Sequence, residues 1–564
     1  MLQLQLFVQA ATPRTRIARR SETHPNREGA PAYYRTLREQ VSQILLTGTL
    51  GNTFYASGRE LGEEAMDVLL QAREECPEFL AKALVYARKF GCVKTLPTLG
   101  LAVLSGGRGK TRPHFEAAFD QVVLIPDDLR AFVALCLSGK VPGRNGLGGV
   151  AREAVRKWIA GISEYHALKY GSAASREVTL RDILRLAHPH PRSANVAERF
   201  GWLVKGSEGL GDDESLNPQI RRLEALKQAQ NDDEIVRLIH EGHLPFEVVL
   251  PSVKAAQPAV WEALLYNAPY MNLLRNLVAF TRHGVFAKKD NVWYAVERLT
   301  DQRAVERSKV LPFRFFDAWR AYSEKCDAPD NQIADAIRKA LELSFSNMPT
   351  LGNRQVAIGT DVSGSMCGPI SDKGSTRCID IAGIFTGALM RRIEGRAIPL
   401  PFSTQAHANC GLSGRDEILT TAEKVARIGG GGTAIGAPVE YLLQRKLAVD
   451  VFIGITDQED WAYGEGMSCS GRFFNLWRRY RQEVAPSARA FLVTIAPYRD
   501  AVAPAGEKGI RFIYGWSGSV LKYIALDLES GESQMKAIEQ MRLKSEAEST
   551  EQESGDSDED AQTA

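Results

Sequence analysis

Beyond about residue 350 the chain alternates short apolar runs with helical stretches, and this alternation constrains its fold more than any other feature. Segments 355–360, 397–402, 449–456, 489–496 and 510–514 are apolar and mostly rich in β-branched or aromatic residues. Strands buried on both faces read this way. Between them, residues 378–393, 434–446, 471–483 and 519–525 repeat apolar side chains at helical spacing. Strand, helix, strand in that order predicts a parallel sheet with helices on both faces, a doubly wound α/β domain over 350–535. Such sheets bind ligands beyond the carboxyl ends of their strands.

The preceding residues follow another grammar. Segments 62–76, 78–90, 128–137, 150–162, 180–187, 232–240 and 258–266 carry apolar residues at i, i+3, i+4 spacing, with short polar breaks. Over 21–347 this predicts stacked helix pairs, an α-solenoid, although no repeat period is visible in the letters. Leu2, Leu4 and Leu6 alternate with glutamines, which predicts a strand in the segment 1–20 and no signal peptide. Residues 545–564 hold eight acids and no base; without those eight charges the formal net charge is +10 instead of +2. That segment is too poor in apolar residues to fold and is expected to be a disordered tail.

The first strand of the α/β part runs into Asp361-Val362-Ser363-Gly364-Ser365. Glycines 429–432 lead to Thr433, and the 449–456 strand ends in Thr456-Asp457. Two carboxylates and three hydroxyls at strand ends and on a glycine loop offer oxygen-only donors, the ligands a hard cation such as Mg²⁺ prefers. Asp361, Ser363, Ser365, Thr433 and Asp457 are therefore the candidate metal ligands. Taken singly, such Asp/Ser/Gly stretches are helix-capping turns. The full set resembles the metal-ion-dependent adhesion site of von Willebrand factor A domains.

Cations concentrate within the helical part. Between Arg130 and Arg199 there are twelve Arg or Lys against five Asp or Glu. In 180–188 the apolar residues 180, 183, 184 and 187 form one stripe, and Arg181, Arg185 and His188 a second beside it. Arg152 and Arg156 lie one turn apart with Lys157 adjacent, and Arg144 and glycines 146, 148 and 149 precede them. Two helices striped this way can neutralise phosphates, though a solvated helix face looks the same in sequence.

A helical N-terminal part joined to a domain with the complete adhesion-site pattern resembles the Ro autoantigen family of TROVE-domain RNA-binding proteins, including its bacterial members. The segments GGVAREAVRK (148–157), LRDILRLAH (180–188) and MNLLRNL (271–277) carry the likeness, which spans about 20–535. It implies a closed ring of HEAT-like helical repeats bridged by the A domain. It also implies small noncoding Y-like RNA on a basic outer surface and single-stranded 3′ ends of misfolded RNA in the cavity. Arg152, Arg156, Lys157, Arg181, Arg185 and His188 match the family's basic helices; Lys169 and Arg176 fall in a loop where members also carry basic contacts. An exonuclease such as polynucleotide phosphorylase is the implied protein partner of a monomeric, cytoplasmic RNA quality-control ribonucleoprotein.

The remaining features limit the alternatives. Eight scattered cysteines form no Cys-x-x-Cys pair, which argues against a disulfide framework or zinc site and for a reducing cytoplasm. No apolar stretch approaches the ~20 residues of a membrane span. A competing reading is a protein-adhesion module of the A-domain type without an RNA role. An enzyme is disfavoured: aspartyl-nucleophile phosphatases carry a second Asp where this chain has Ser363, and His407 with Cys410 stands without further catalytic context.

Overall fold

The computed structural model describes residues 23–48, 52–53, 55–171, 177–253, 256–346, 348–370, 376–462, 472–498 and 500–543. The 1–20 strand expectation, Arg176 and the acidic tail lie outside these. The chain divides into two compact units. Of the described residues, one takes those from Thr23 to Gly100, Leu311–Phe313 and Ser344–Arg542; the other takes Leu101–Val310 and Arg314–Leu343.

The first unit contains the α/β domain. Its strands are β1 (Thr23–Pro25), β2 (Pro31–Tyr34), β3 (Val356–Asp361), β4 (Ala397–Phe402), β5 (Val451–Thr456), β6 (Arg489–Thr494), β7 (Asp500–Ala501) and β8 (Ile510–Tyr514). The main sheet runs β4-β3-β5-β6-β8, with every neighbouring pair parallel. Both β3 and β5 are buried along their whole length, which is why they read as unbroken apolar runs. Chain order reverses between β3 and β5, so the topological switch point lies where Asp361 and Asp457 emerge. On one face Phe452, Phe473, Trp477 and Tyr480 pack together, with Phe473 and Trp477 stacked at 6.4 Å.

A helix at Ile418–Ile428 was not foreseen. It lies against Cys378–Arg392, where a Cβ on Gly383 would come within 2.7 Å of the Ala422 Cα and one on Gly387 within 3.0 Å of the Ile418 Cα. Glycine spacing of one helical turn thus lets the two backbones touch.

The described residues between 23 and 100, expected in the helical part, group with the α/β domain. β1 and β2 are strands where only helices were expected, and β2 pairs antiparallel with β7, Tyr33 opposite Ala501. Arg35 donates to the Tyr514 hydroxyl (3.0 Å) and the Asp500 carbonyl (2.7 Å). From helix Leu37–Thr47, Gln43 donates to the carbonyls of Ala496 (3.2 Å) and Tyr498, and Thr47 to that of Ala496 (3.2 Å). These buried donors find partners more than 440 positions away, a pairing that local periodicity cannot report.

The second unit is helical throughout its described residues. Most of its helices pack on neighbours one to three positions along the chain, for example Gly148–Ile159 on Leu180–Ala187 and Pro218–Gln228 on Asp232–Gly242, and Glu164–Gly171 also meets Phe246–Ser252 five helices on. Local packing of this kind is what a stack of helices requires. Among the described residues no helix is long and apolar enough to cross a membrane.

Candidate functional site

At the switch point the metal candidates meet. Asp361 Oδ2 accepts a 2.6 Å bond from the Thr456 hydroxyl, and Oδ1 accepts from the Ser363 amide at 2.9 Å. The Ser363 and Ser365 hydroxyls are 3.2 Å apart. The glycine loop is held against this strand end by Gly364 N–H to Gly431 O (2.8 Å) and Gly430 N–H to Val362 O (2.7 Å). Gly430 and Gly431 take φ of 130° and 89°, values that demand glycine. The loop delivers Thr433, whose carbonyl accepts from the Trp461 and Ala462 amides.

All five donors are at most 5% exposed. Burial, reinforced by the facing Asp457 carboxylate, pushes Asp361 up to about 7; burial raises Asp457 as well, against hydrogen bonds that favour its charge. Two buried carboxylates and the Thr433 hydroxyl, buried without a hydrogen-bond partner, need a shared counter-charge. The donor set fits a hard divalent cation: oxygen only, two carboxylates and three hydroxyls. No described cluster of three or more His, Cys, Asp or Glu side chains offers another metal site.

Thr433→Ala is expected to leave the stability of chelated protein within about 0.5 kcal/mol of the parent, since no hydrogen bond is lost. The same change should weaken Mg²⁺ affinity several-fold. Thermal melts with and without Mg²⁺ check both, and an unaltered Mg²⁺ response removes Thr433 from the set.

Several flanking residues gave no signal in the sequence. Glu459, fully buried, is pushed up to about 9 by burial, with Asp500 and Asp457 adding to it, and accepts from the Arg27 amide at 3.2 Å. Tyr55 and Tyr498 pack edge to face beside Ser365, their centroids 5.5 Å apart. A small recess next to Ser365 is lined by Thr53, Cys378, Tyr498 and Trp516 among others. His407 meets the Ser403 hydroxyl at 3.2 Å, while Cys410 points to the Pro399 carbonyl.

The basic residues of the helical unit separate into two groups. Helix Leu180–Ala187 starts at Thr179, whose hydroxyl and the Asp182 carboxylate cap each other's backbone amides; it stops at His188, whose φ of 50° ends the helical path. It packs on Gly148–Ile159, and Arg156 Nε donates to the Ala187 carbonyl at 2.9 Å. Arg152, Lys157, Arg181, Arg185 and His188 are exposed. Arg192, which the sequence reading left out, is exposed beside them and donates to the Lys157 carbonyl at 3.3 Å.

Two candidates turn inward. Arg144 is buried, donating to the Ser105 hydroxyl (2.8 Å), the Ser105 carbonyl and the Leu147 carbonyl (2.5 Å). It braces the turn before helix Gly148–Ile159 and is absent from the exposed cationic face. Lys169 is half-enclosed, bonded to the Tyr165 hydroxyl (3.2 Å) and paired with Glu247 (3.3 Å). Arg144→Ala should therefore destabilise the helical unit by about 2–3 kcal/mol by stranding those acceptors, as denaturant unfolding would read.

Comparison with known proteins finds two matching domain families. Residues 248–351 match the TROVE domain and residues 355–526 the Ro60 vWA domain. The chain carries a TROVE domain and a Ro60-type vWA domain. It is 28% identical over 460 residues to an RNA-binding protein RO60 of Deinococcus radiodurans, covering 78% of the chain and 83% of that relative. It is 26% identical over 482 residues to an RNA-binding protein RO60 of Caenorhabditis elegans, covering 72% of each. Its fold matches the crystal structure of Deinococcus radiodurans RO (RSR) protein with a TM-score of 0.66 at 22% identity, over 87% of this chain and 99% of that one. The TROVE match begins beyond the two basic helices.

Proposed function

We propose that this chain is a non-enzymatic RNA-binding protein whose RNA contacts lie on helices Gly148–Ile159 and Leu180–Ala187. The observation that carries this reading is the exposed group Arg152, Lys157, Arg181, Arg185 and His188 on two helices packed together. Such a face neutralises phosphates without choosing sequence, so it suits structured RNA recognised by shape. Relatives named RNA-binding proteins support the assignment. The RNA class we assign is a small noncoding Y-like RNA, together with misfolded RNA bearing a single-stranded 3′ end, handed on to an exonuclease such as polynucleotide phosphorylase in the cytoplasm. Asp361, Ser363, Ser365, Thr433 and Asp457 would hold Mg²⁺, which supplies counter-charge to the buried carboxylates when bound.

Filter binding of a structured RNA with a single-stranded 3′ tail across a salt series tests the assignment. Expected is binding that weakens with salt, with a log-log slope of about −0.7 per phosphate neutralised on single strands and about −0.9 on duplex. Folded protein that retains no RNA at low salt would overturn it.

A further inference from the structure

Because β3, β5, β6 and β8 run parallel, the metal candidates occupy their carboxyl ends and leave the amino ends about 20 Å away, at ~3.3 Å per residue. That far edge is cationic. Arg445 and Lys446 precede β5, Arg489 opens β6, and Lys508 and Arg511 flank the start of β8; all five are exposed. The acids of the same segments are Asp450, whose carboxylate accepts the Gln355 amide at 2.8 Å, and half-buried Glu507.

Hydrogen bonds fix these cations in place. The Arg489 amide donates to the Asp450 carbonyl (3.0 Å) and the Ala490 amide to the Gly509 carbonyl (2.8 Å), which sets Lys508 beside Arg489. Arg481 braces that turn by donating to the Lys508 carbonyl (2.9 Å) and the Pro486 carbonyl (3.0 Å). A Cβ on Gly509 would fall 2.7 Å from the Arg481 Nη1, and its φ is 87°, so the turn requires glycine. Asp527, whose side chain is 3% exposed, pairs with Arg489 (3.5 Å) and Arg511 (3.2 Å) and so gathers two guanidiniums. Each guanidinium has five N–H donors and keeps others for an outside acceptor. The Tyr480 hydroxyl, bonded to the Leu447 carbonyl (2.8 Å) and the Val449 amide (2.9 Å), steadies the turn after Arg445 and Lys446.

Helix ends explain only part of this charge. Helices Ala437–Gln444 and Arg472–Glu483 finish at this edge, where cations offset their carbonyl ends, but Arg489, Lys508 and Arg511 sit on strands and a turn. A protein partner would want an apolar anchor, yet among the described residues the exposed large apolar side chains all belong to other segments. Clustered cations without such an anchor suit a phosphate backbone.

Resting on the reading of the chain as an RNA-binding protein, we propose that this amino edge of the sheet is a second RNA contact. Arg445, Lys446, Arg489, Lys508 and Arg511 bind backbone phosphates there without choosing sequence, apart from the cations of helices Gly148–Ile159 and Leu180–Ala187.

Lysine acetylation of the full chain, read by mass spectrometry with and without a structured RNA, tests this edge directly. RNA is expected to slow acetylation of Lys446 and Lys508 by about threefold or more at low salt, alongside Lys157. Lys446→Glu with Lys508→Glu, both exposed and so expected to melt with the parent, should weaken RNA binding about tenfold near 0.1 M salt and flatten the salt slope by about 2. Lys446 and Lys508 that label equally with and without RNA while Lys157 is protected would overturn the proposal, as would an unaltered slope in the double variant. Protection by polyglutamate and none by RNA would overturn it in favour of an acidic protein. Failure of the RNA reading itself looks different: Lys157 is unprotected too, and no RNA is retained on a filter.

Discussion

Replacing Arg152, Lys157 and Arg185 together with glutamate is expected to lower RNA affinity by about 100-fold near 0.1 M salt and to flatten the salt slope by about 2–3. The three are chosen because each is exposed. Arg156 is left in place, because its Nε holds the Ala187 carbonyl and so fastens one helix to the other. The apolar stripes, Ala151, Val155 and Ile159 on one helix and Leu180, Ile183, Leu184 and Ala187 on its neighbour, stay buried and untouched. The triple variant should therefore melt with the parent, and loss of binding reports on phosphate contact. The same substitutions give no change in RNA retention if these cations are only a solvated face. Circular dichroism beside filter binding separates the two outcomes.

Mg²⁺ removal carries the second large effect. Without metal, Asp361 has a folded-state pKa raised to about 7 by burial and by Asp457, whereas in the unfolded chain it sits near about 4. A carboxyl raised in this way contributes stability below the unfolded value and loses it as pH climbs through the folded one. Glu459, raised further, extends the loss in the same direction above neutrality. Chelated protein should thus become less stable from pH 5 to pH 8, and Mg²⁺ should reverse the loss most strongly at pH 8. At free Mg²⁺ a thousandfold above its Kd, the gain is about 4 kcal/mol, on the order of 10 °C in melting temperature for a unit of this size. Melts that ignore both Mg²⁺ and pH over this range would sink the assignment.

Much of the α/β domain was legible because its signals are local. A strand buried on both faces is an unbroken apolar run, and 397–402 and 510–514 coincide with β4 and β8. Asp361 and Asp457 were legible for the same reason, since each ends such a run. Arg144 shows the limit: in letters it is one more cation among cations, and only the Ser105 and Leu147 carbonyls around it reveal a buried brace. Tyr55 shows it again, because its contact with Tyr498 spans 443 positions and leaves no periodic trace. The helix Ile418–Ile428 does carry a helical repeat in Ile418, Thr421, Ala422 and Val425, all buried, but threonine and alanine at those positions weaken the apolar contrast on which such a reading depends.

The pairing of β2 with β7 also dictates an order of birth. Residues 23–48 leave the ribosome with Arg35, Gln43 and Thr47 lacking the carbonyls and the Tyr514 hydroxyl that later receive them. At about 5–20 residues per second, tens of seconds pass before the 496–514 segment is made. The helical unit meanwhile has every neighbour it needs within a few helices and can condense as it emerges. A nascent chain halted near residue 350 would thus hold a folded helical unit behind an unmated amino-terminal strand, a substrate for chaperones until the last sheet strands arrive.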